Sequence, residues 1–254
     1  MSARDFLVRG LLAGLLAGLA AFGVAFLAGE PTLNAAIAIE DSPADHQEAG
    51  EPVVDPDTTT AVPRSLQATA GLLSGTVLAG LTIGGFAGLL AGLALGRFGQ
   101  LSTRATALSV VMIMCVTLDL VPFVGYPPNP PGVGQSSTIG LRTALYFVLM
   151  AISIVVAVTA IMIGRRAARR WGGWYATIGS IGSYVIIMSA VIVLMPAYDE
   201  VPASFPGSLL YEFRVASLGT RLTLWAVLGV ILADLVHRLI RSKPVASPLG
   251  ETVT

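Results

Sequence analysis

Residues 69–95 read TAGLLSGTVLAGLTIGGFAGLLAGLAL, and this stretch contains no charged side chain. The hydrocarbon core of a bilayer is about 30 Å thick, so a helix that crosses it needs roughly 20 mostly apolar residues. The stretch therefore predicts a transmembrane helix. Five other stretches predict one as well, and the six predicted spans are residues 6–28, 69–95, 105–121, 141–163, 177–195 and 218–236. The predicted fold class is an all-α, polytopic integral membrane helix bundle.

The composition agrees with a membrane protein. Mean hydropathy is +0.79. Charged residues make up 12% of the chain, roughly half their share in soluble domains. Two regions are predicted, a transmembrane domain over residues 1–241 and a disordered tail over residues 242–254. The apolar run in the first span is longer than the h-region of a typical cleaved signal peptide, so we expect this span to be retained.

Basic residues are concentrated in alternate segments between the spans. The segments before span one, between spans two and three, between spans four and five, and after span six contain Arg4, Arg9, Arg97, Arg104, Arg165, Arg166, Arg169, Arg170, Arg238, Arg241 and Lys243. The other side carries Arg64, Arg142, Arg214 and Arg221. Cytoplasmic segments collect Lys and Arg. Both termini are therefore predicted to be cytoplasmic, in a multi-pass protein of the inner (plasma) membrane.

Glycines recur at every fourth residue in the first two spans. They are Gly10, Gly14 and Gly18 in span one and Gly80, Gly84, Gly88, Gly92 and Gly96 in span two and at its end. Residues four apart share a helix face, where bare backbone lets a neighbouring helix approach closely. Helix packing is the favoured interpretation, and sliding of the two helices during transport is the alternative.

Few residues could carry out catalysis. The chain has two histidines, His46 and His237, and one cysteine, Cys115, so an intrachain disulfide and a Cys-x-x-Cys motif are both impossible. It contains no phosphate loop, no HExxH motif and no serine elbow with a partner histidine. A basic stripe with interleaved aromatic residues, typical of nucleic-acid binding, is also missing. We expect neither an enzyme nor a nucleic-acid-binding protein, and no permanently bound cofactor.

Asp119 is a carboxylate near the outer end of span three. Ionisable residues at membrane depth usually face a cavity or a charged partner. Met112 and Cys115 are spaced to lie on the same helix face, so the three side chains could bind a borderline or soft cation. The favoured alternative is an ion pair between Asp119 and Arg142 or Arg214. At the inner end of span six, Asp234 is expected to pair with Arg238, with a cation site that includes His237 as the alternative.

The acidic outer loop, residues 29–68, is the other candidate for cation binding. It is interrupted by prolines, and only residues 35–40 are expected to form a turn or two of helix. Its possible ligands are Glu30, Glu40, Asp41, Asp45, His46 and Glu48. Carboxylate and imidazole together suit divalent transition metals. The spacing does not choose among these residues, and a solvated acidic surface is an equally good interpretation.

Several strings outside the glycine-rich helices are more specific. They are RDFLVRGLLAGL at 4–15, GEPTLNAAIAIE at 29–40, VPRSLQ at 62–67, PFVGYPPNPPGVG at 122–134, TIGLRT at 138–143 and FPGSLLYEFR at 205–214. With these strings the chain resembles the CbtA family, the larger membrane subunit of a cobalt transporter, from residue 4 to about residue 234. The resemblance implies cobalt as substrate, a link to cobalamin synthesis, and a partner of the CbtB type, a small single-span protein with a histidine-rich end.

The sequence therefore predicts a membrane subunit for uptake of a divalent metal, most simply cobalt, with Glu30, Glu40, His46 and Asp119 as candidate metal ligands. In the matched strings, Arg64, Arg142 and Arg214 suit loop fixation or pairing with Asp119. Two alternatives stay open. One is a scaffold or assembly subunit that does not transport, and the other is a transporter of another small solute, for which outward arginines would suit a zwitterion. The lipid bilayer is an expected partner in every case.

Overall fold

The computed structural model describes residues 2–41, 62–98, 101–198 and 200–241, and those residues contain helices and no strand. Five helices are long and apolar enough to cross a membrane. We number them α1 (Ala3–Glu40), α2 (Arg64–Ala94), α3 (Thr103–Gly125), α4 (Ile139–Leu194) and α5 (Gly207–Arg241). An all-α bundle is confirmed, although the number of separate helices is five rather than six. The predicted tail, residues 242–254, lies outside the described residues.

The first two helices extend well beyond their predicted ends. Residues 29–40 are helical, whereas the sequence predicted an outer loop with only a turn or two of helix. Pro31 is tolerated because it stands at the start of the helical stretch Glu30–Glu40, directly after a π-helical turn at Ala25–Gly29. A second π-helical turn, Gln67–Gly71, lies in the first part of α2. The end of α1 and the start of α2 are therefore helical.

Helix α4 contains the predicted spans four and five. Gly172 interrupts it with φ 78° and ψ 157°, a backbone conformation that favours glycine. The two arms pack against each other, because a Cβ at Gly164 would meet the side chain of Ser180 and the Ser153 and Tyr184 hydroxyls are hydrogen-bonded at 2.7 Å. The sequence predicted two spans with a basic loop between them, and the prediction of a loop was wrong. The arginines continue the first arm, and a single glycine reverses the chain.

The two glycine rows lie against each other. A Cβ on Gly84 would stand 2.6 Å from the Gly14 Cα, and a Cβ on Gly18 would stand 2.7 Å from the Thr76 carbonyl oxygen. Atoms do not approach that closely, so any side chain at these positions would push α1 and α2 apart. Gly88 likewise lies beside Gly10. Along the contact, the residue numbers rise in α1, from Gly10 to Gly18, while they fall in α2, from Gly88 to Thr76. Helices α1 and α2 are therefore antiparallel.

The core is built by α1, α2, α3 and α5. Leu228, Leu232 and Val236 of α5 are fully buried, as is Ala17 of α1, and Val111 of α3 is 2% exposed. Ion pairs at both ends of the α3–α5 contact, Asp119–Arg221 and Arg104–Asp234, make these two helices antiparallel. The start of α1, the end of α2, the start of α3 and the end of α5 therefore share one end of the bundle. We call it the basic end, and the opposite one the loop end.

Helix α4 is attached at the loop end. Gly125 at the end of α3 lies beside Leu149 and Ile192, one residue from each arm of α4. Tyr126 donates a hydrogen bond to the Pro196 carbonyl at 2.9 Å. The Gly172 turn accordingly points towards the basic end. Only 17% of the most apolar segment of α4 is buried, against 33% to 39% in the other helices.

The outer surface of the bundle is apolar. Leu27 is 76% exposed, Val193 82% and Leu78 63%, and many other large apolar side chains are similarly exposed. A protein surrounded by water rarely exposes contiguous apolar surface of this kind. The chain is a multi-pass membrane protein whose helices face lipid.

Candidate cation site

Asp119 lies in a locally widened part of α3. Residues Val116–Leu120 form a π-helical turn directly before Pro122. Proline cannot donate a backbone hydrogen bond to the preceding turn, and a wider turn accommodates that loss. Such π-helical turns are frequent at functional sites. Here the widened turn changes which side chains of α3 face the bundle interior.

Both oxygens of the Asp119 carboxylate have donors from α5. Arg221 Nη1 forms an ion pair with Oδ1, and Trp225 Nε1 donates to Oδ2 at 2.8 Å. Arg221 and Trp225 are four residues apart, so they project from the same face of α5. The Asp119 side chain is only 13% exposed. An ion pair was the expected fate of Asp119, but the predicted partners, Arg142 and Arg214, were wrong.

Those two arginines hold the outer loops instead. Arg142 Nη1 pairs with Glu200 Oε2 at 2.9 Å. Arg214 donates to the side-chain oxygen of Asn129 at 3.0 Å and to the Pro128 carbonyl. Because the loop after α3 is rich in proline, it has few backbone donors of its own. Loop fixation, the other role that the matched strings suggested, is confirmed for both residues.

Besides Asp119, Arg221 has two aromatic neighbours, Phe123 and Tyr146. Its guanidinium carbon stands 5.8 Å from the centroid of the Phe123 ring, within the range of a cation–π interaction. The Tyr146 hydroxyl of α4 also hydrogen-bonds Arg221. The guanidinium group therefore has a carboxylate and two aromatic side chains as neighbours.

A cavity of ≈ 480 Å³ opens at the loop end above this ion pair. Tyr146 lines it together with Tyr126, Asn129, Arg142 and Thr143. Its described lining contains hydroxyl, amide and guanidinium groups and no carboxylate. Tyr146 belongs to both the cavity and the surroundings of Arg221, so it connects the outer surface with the buried ion pair.

Glu200 forms an ion pair with Arg142, which lines this cavity. It accepts hydrogen bonds from the Thr138 hydroxyl, from the Gln135 backbone N–H at 2.9 Å and from Arg142. The hydrogen bond from Thr138 is the main cause that lowers the pKa of Glu200 below its ordinary value, followed by that from Gln135. Glu200 is therefore ionised at neutral pH and holds the loop after α3 to the loop before α5.

The structure does not assemble the predicted thiol and thioether ligands around Asp119. Cys115 is 3% exposed and faces the core, whereas Met112 is 58% exposed on the outer surface. Cys115 directly precedes the π-helical turn that contains Asp119, so the helical phase between these two residues differs from that of a regular α-helix. Among the described residues, no three His, Cys, Asp or Glu side chains are grouped closely enough to hold a metal ion.

The candidate ligands of the predicted first loop, Glu30 and Glu40, differ from each other in burial and in their partners. Glu30 is buried at 7% exposure and pairs with Arg64, which also donates to Asn34 at 3.1 Å. Glu40 is exposed at the end of α1, beside Gly132. Glu40 forms no ion pair with another described residue. His46 lies outside the described residues, so its placement as a ligand stays a prediction.

At the basic end, Asp234 pairs with Arg238 at 2.6 Å, and the expected pairing within one turn of helix is confirmed. Asp234 also pairs with Arg104 of α3 at 2.7 Å. Nothing in the sequence alone identifies Arg104 as this second partner. Together the two arginines satisfy the carboxylate, which argues against a cation site with His237.

A family model described as "Probable cobalt transporter subunit (CbtA)" matches residues 3–237. The chain belongs to the CbtA family. No curated protein and no solved structure matches it. Membership of the CbtA family supports a role as a metal-transport subunit of the membrane, and a subunit acts with at least one other chain. The matched region contains all five helices up to the last turns of α5.

Sequence reasoning missed Arg221 and Trp225 as the partners of Asp119. A signal was present, because Arg221 is a charged residue inside predicted span six, and an intramembrane arginine requires a counter-charge. Trp225 follows it at a spacing of four residues, which predicts a shared helix face. The choice among the arginines depends on which helices are neighbours, and the sequence does not contain that information directly.

Proposed function

We propose that this chain is the membrane subunit of a divalent transition-metal uptake system, that its cargo is cobalt and that uptake serves cobalamin synthesis. Its termini are cytoplasmic in the inner membrane, and its partner is a small single-span protein with a histidine-rich end. The observation that carries the proposal is the buried Asp119–Arg221 pair beneath an outer cavity in a family of transporter subunits. An ionisable pair at membrane depth is costly and typical of a transport path.

Both oxygens of Asp119 are occupied, so a cation can bind there only by displacing a donor. Arg221 is the donor that a cation displaces, because two positive groups on one carboxylate repel each other strongly where little water screens them. Phe123 and Tyr146 are in place to receive the displaced guanidinium. The net charge of the site then rises only by the charge of the cargo, and Arg221 returns when the cation leaves.

We assign cation capture at the outer surface to the acidic residues at the end of α1 and directly after it. Glu40 projects from the end of α1 and has no described counter-ion, and His46 follows it in sequence. Glu30 is also kept as a candidate ligand, but Arg64 must leave before its carboxylate can bind a metal. The acidic residues raise the local concentration of cations, an effect that salt weakens.

Two other functions have one observation each in their favour. A scaffold subunit is favoured by the fact that Glu30, Asp119, Glu200 and Asp234 all have arginine partners already. A carrier of a small anionic or zwitterionic solute is favoured by the outer cavity, whose described lining includes Arg142 and no carboxylate. Uptake measurements distinguish both from metal transport.

The test is uptake of labelled cobalt into cells that carry this chain, with and without the small partner, and with nickel and zinc as competitors. We expect accumulation above background that Asp119→Asn/Arg221→Gln abolishes. This double variant removes both charges and leaves no unpaired group, so it should fold. Asp234→Asn/Arg238→Gln is the matched control, since it removes an ion pair away from the path and should retain uptake.

Loss of uptake in both double variants would indicate general damage, and the Asp119 path would lose its support. No accumulation by the wild-type chain with its partner, in membranes where the chain is shown to be folded, would refute metal uptake and leave the scaffold. Accumulation of an organic anion in place of cobalt would support the third function.

A further inference from the structure

Among the described residues, no extensive contact with another helix covers the half of the α4 hairpin near Gly172. Contacts of α4 with the other described helices are made at the loop end, through the region around Gly125. Towards the turn, Ile163, Ile178 and Ile181 are all more than half exposed. This part of the hairpin therefore meets the lipid and the membrane surface at the basic end.

Four arginines lie in the first arm just before the turn, namely Arg165, Arg166, Arg169 and Arg170, and all four are exposed. Helix α4 contains no aspartate or glutamate. The ion pairs of the described residues involve other arginines, and none of these four takes part. The hairpin thus presents four positive charges without a counter-charge among the described residues.

Beside these arginines, a groove of ≈ 350 Å³ runs between the two arms. Small side chains line it, including Ala160, Gly164 and Ala167 of the first arm and Ala176, Gly179 and Ser180 of the second. Trp171 stands at its turn end and is 68% exposed. Arg166 and Arg170 directly precede Ala167 and Trp171, so their side chains start next to the groove. Trp174, 74% exposed, and Tyr175, 70% exposed, follow the turn, as expected of residues at a membrane–water boundary.

We propose that this groove binds an anionic phospholipid. One acyl chain lies along the apolar groove, and the phosphate is bound by Arg166 and Arg170, with Arg165 and Arg169 next to them on the helix. Guanidinium groups bind phosphate oxygens through paired hydrogen bonds, and basic pockets between membrane helices bind anionic headgroups. A lipid supplies both the apolar chain and the negative charge, whereas a packed helix would satisfy only the groove. The inference does not depend on cobalt transport.

The experiment uses the full chain in phosphatidylcholine nanodiscs and measures tryptophan fluorescence. Phosphatidylglycerol with bromine atoms on its acyl chain quenches Trp171 when it occupies the groove. Trp174, which is 74% exposed and does not line the groove, is replaced by phenylalanine in every protein compared, and Trp225, 5% exposed in the helix core, contributes a constant background. We expect brominated phosphatidylglycerol to bind about tenfold more strongly than brominated phosphatidylcholine, as several basic groups next to an anionic headgroup imply.

Two variants test the two parts of the site. Arg166→Gln/Arg170→Gln should reduce the preference to about onefold, while Arg238→Gln/Arg241→Gln, which removes two exposed charges from the same end, should keep it. Gly179→Leu should fill the groove without a clash, because a Cβ there meets nothing within 4 Å, and should weaken quenching by brominated phosphatidylglycerol several-fold.

Equal quenching by the two lipids in the wild-type chain would overturn the proposal. An unchanged preference in Arg166→Gln/Arg170→Gln would overturn it as well, and unchanged quenching in Gly179→Leu would refute the acyl-chain seat. Loss of Trp171 quenching when the chain is purified together with its partner subunit would assign the groove to a protein helix and also overturn the proposal.

Discussion

Asp119 connects the sequence-based prediction with the structure at the scale of single residues. Its charge and its depth in the membrane were sufficient to single it out, because a carboxylate in a predicted span needs a partner or a function. Its partners depend on packing. Arg221 and Trp225 approach it because α3 and α5 are antiparallel neighbours, and that arrangement becomes visible only in three dimensions.

The first prediction concerns the stability of this pair. Asp119→Asn leaves Arg221, whose side chain is 35% exposed, without a counter-charge and should destabilise the protein by about 1 to 3 kcal/mol. Asp119→Asn/Arg221→Gln should recover most of that loss, since no charge is left unpaired. Thermal unfolding in detergent, followed as a double-mutant cycle, measures the coupling. Strictly additive effects would show that the two groups do not interact.

A second prediction concerns pH and Glu200. Hydrogen bonds from Thr138 and Gln135 lower the pKa of Glu200 in the folded protein below the ordinary value of 4.5. Folding is therefore favoured by this group above that value, and the contribution disappears as the pH falls through the folded pKa. We expect stability to decrease as the pH falls from 4.5 through the folded pKa of Glu200, and to decrease less in Glu200→Gln. Identical pH profiles of the two proteins would contradict this.

At the scale of helices, the regular glycine spacing was the most informative pattern in the sequence. It predicted which faces of α1 and α2 could approach closely, and Gly14 and Gly84 lie at that contact. The hydropathy of residues 139–194 was less informative, because two apolar stretches with arginines between them predict two helices and a loop. Gly172 makes the reversal within one residue, and neither the length nor the composition of a segment reveals a positive φ.

The third prediction tests the helix contact. Gly84→Ala places a methyl group 2.6 Å from the Gly14 Cα, so α1 and α2 must separate. We expect a stability loss of about 2 kcal/mol or more, as for overpacked cores. Gly75→Ala in the same helix is the control, because a Cβ there meets nothing within 4 Å, and its effect should be within about 1 kcal/mol. Equal unfolding temperatures for both variants would refute the close contact.

The fourth prediction tests the reversal at Gly172. Its φ of 78° is strained for any residue with a side chain, so Gly172→Ala should cost about 1 to 3 kcal/mol. Gly173→Ala, at a neighbouring position with open space, should cost less. Gly164→Cys/Ser180→Cys would report hairpin assembly by disulfide cross-linking, because a Cβ at Gly164 stands 3.3 Å from the Ser180 Cβ. Efficient cross-linking with unchanged stability in Gly172→Ala would contradict the assigned backbone conformation.

For the whole molecule, the sequence predicted the architecture better than the site. Hydropathy predicted the bundle, and the alternation of arginines agrees with the ends of α1, α2, α3 and α5 that share the basic end. Of the proposed ligands in the described part of the chain, Glu30 and Asp119 are already paired with Arg64 and Arg221, whereas the placement of His46 stays a prediction. Ion pairs of this kind join residues more than thirty positions apart, and only the assembled bundle identifies them.

The central claim is that a cation replaces Arg221 on Asp119, and cobalt binding to the purified chain tests it most directly. Arg221→Gln removes the competing cation and should bind cobalt about tenfold more tightly than the wild type, a gain of about 1.4 kcal/mol. Asp119→Asn/Arg221→Gln should lose this gain. Equal cobalt affinity in Arg221→Gln and Asp119→Asn/Arg221→Gln would contradict the account and remove Asp119 from the transport path.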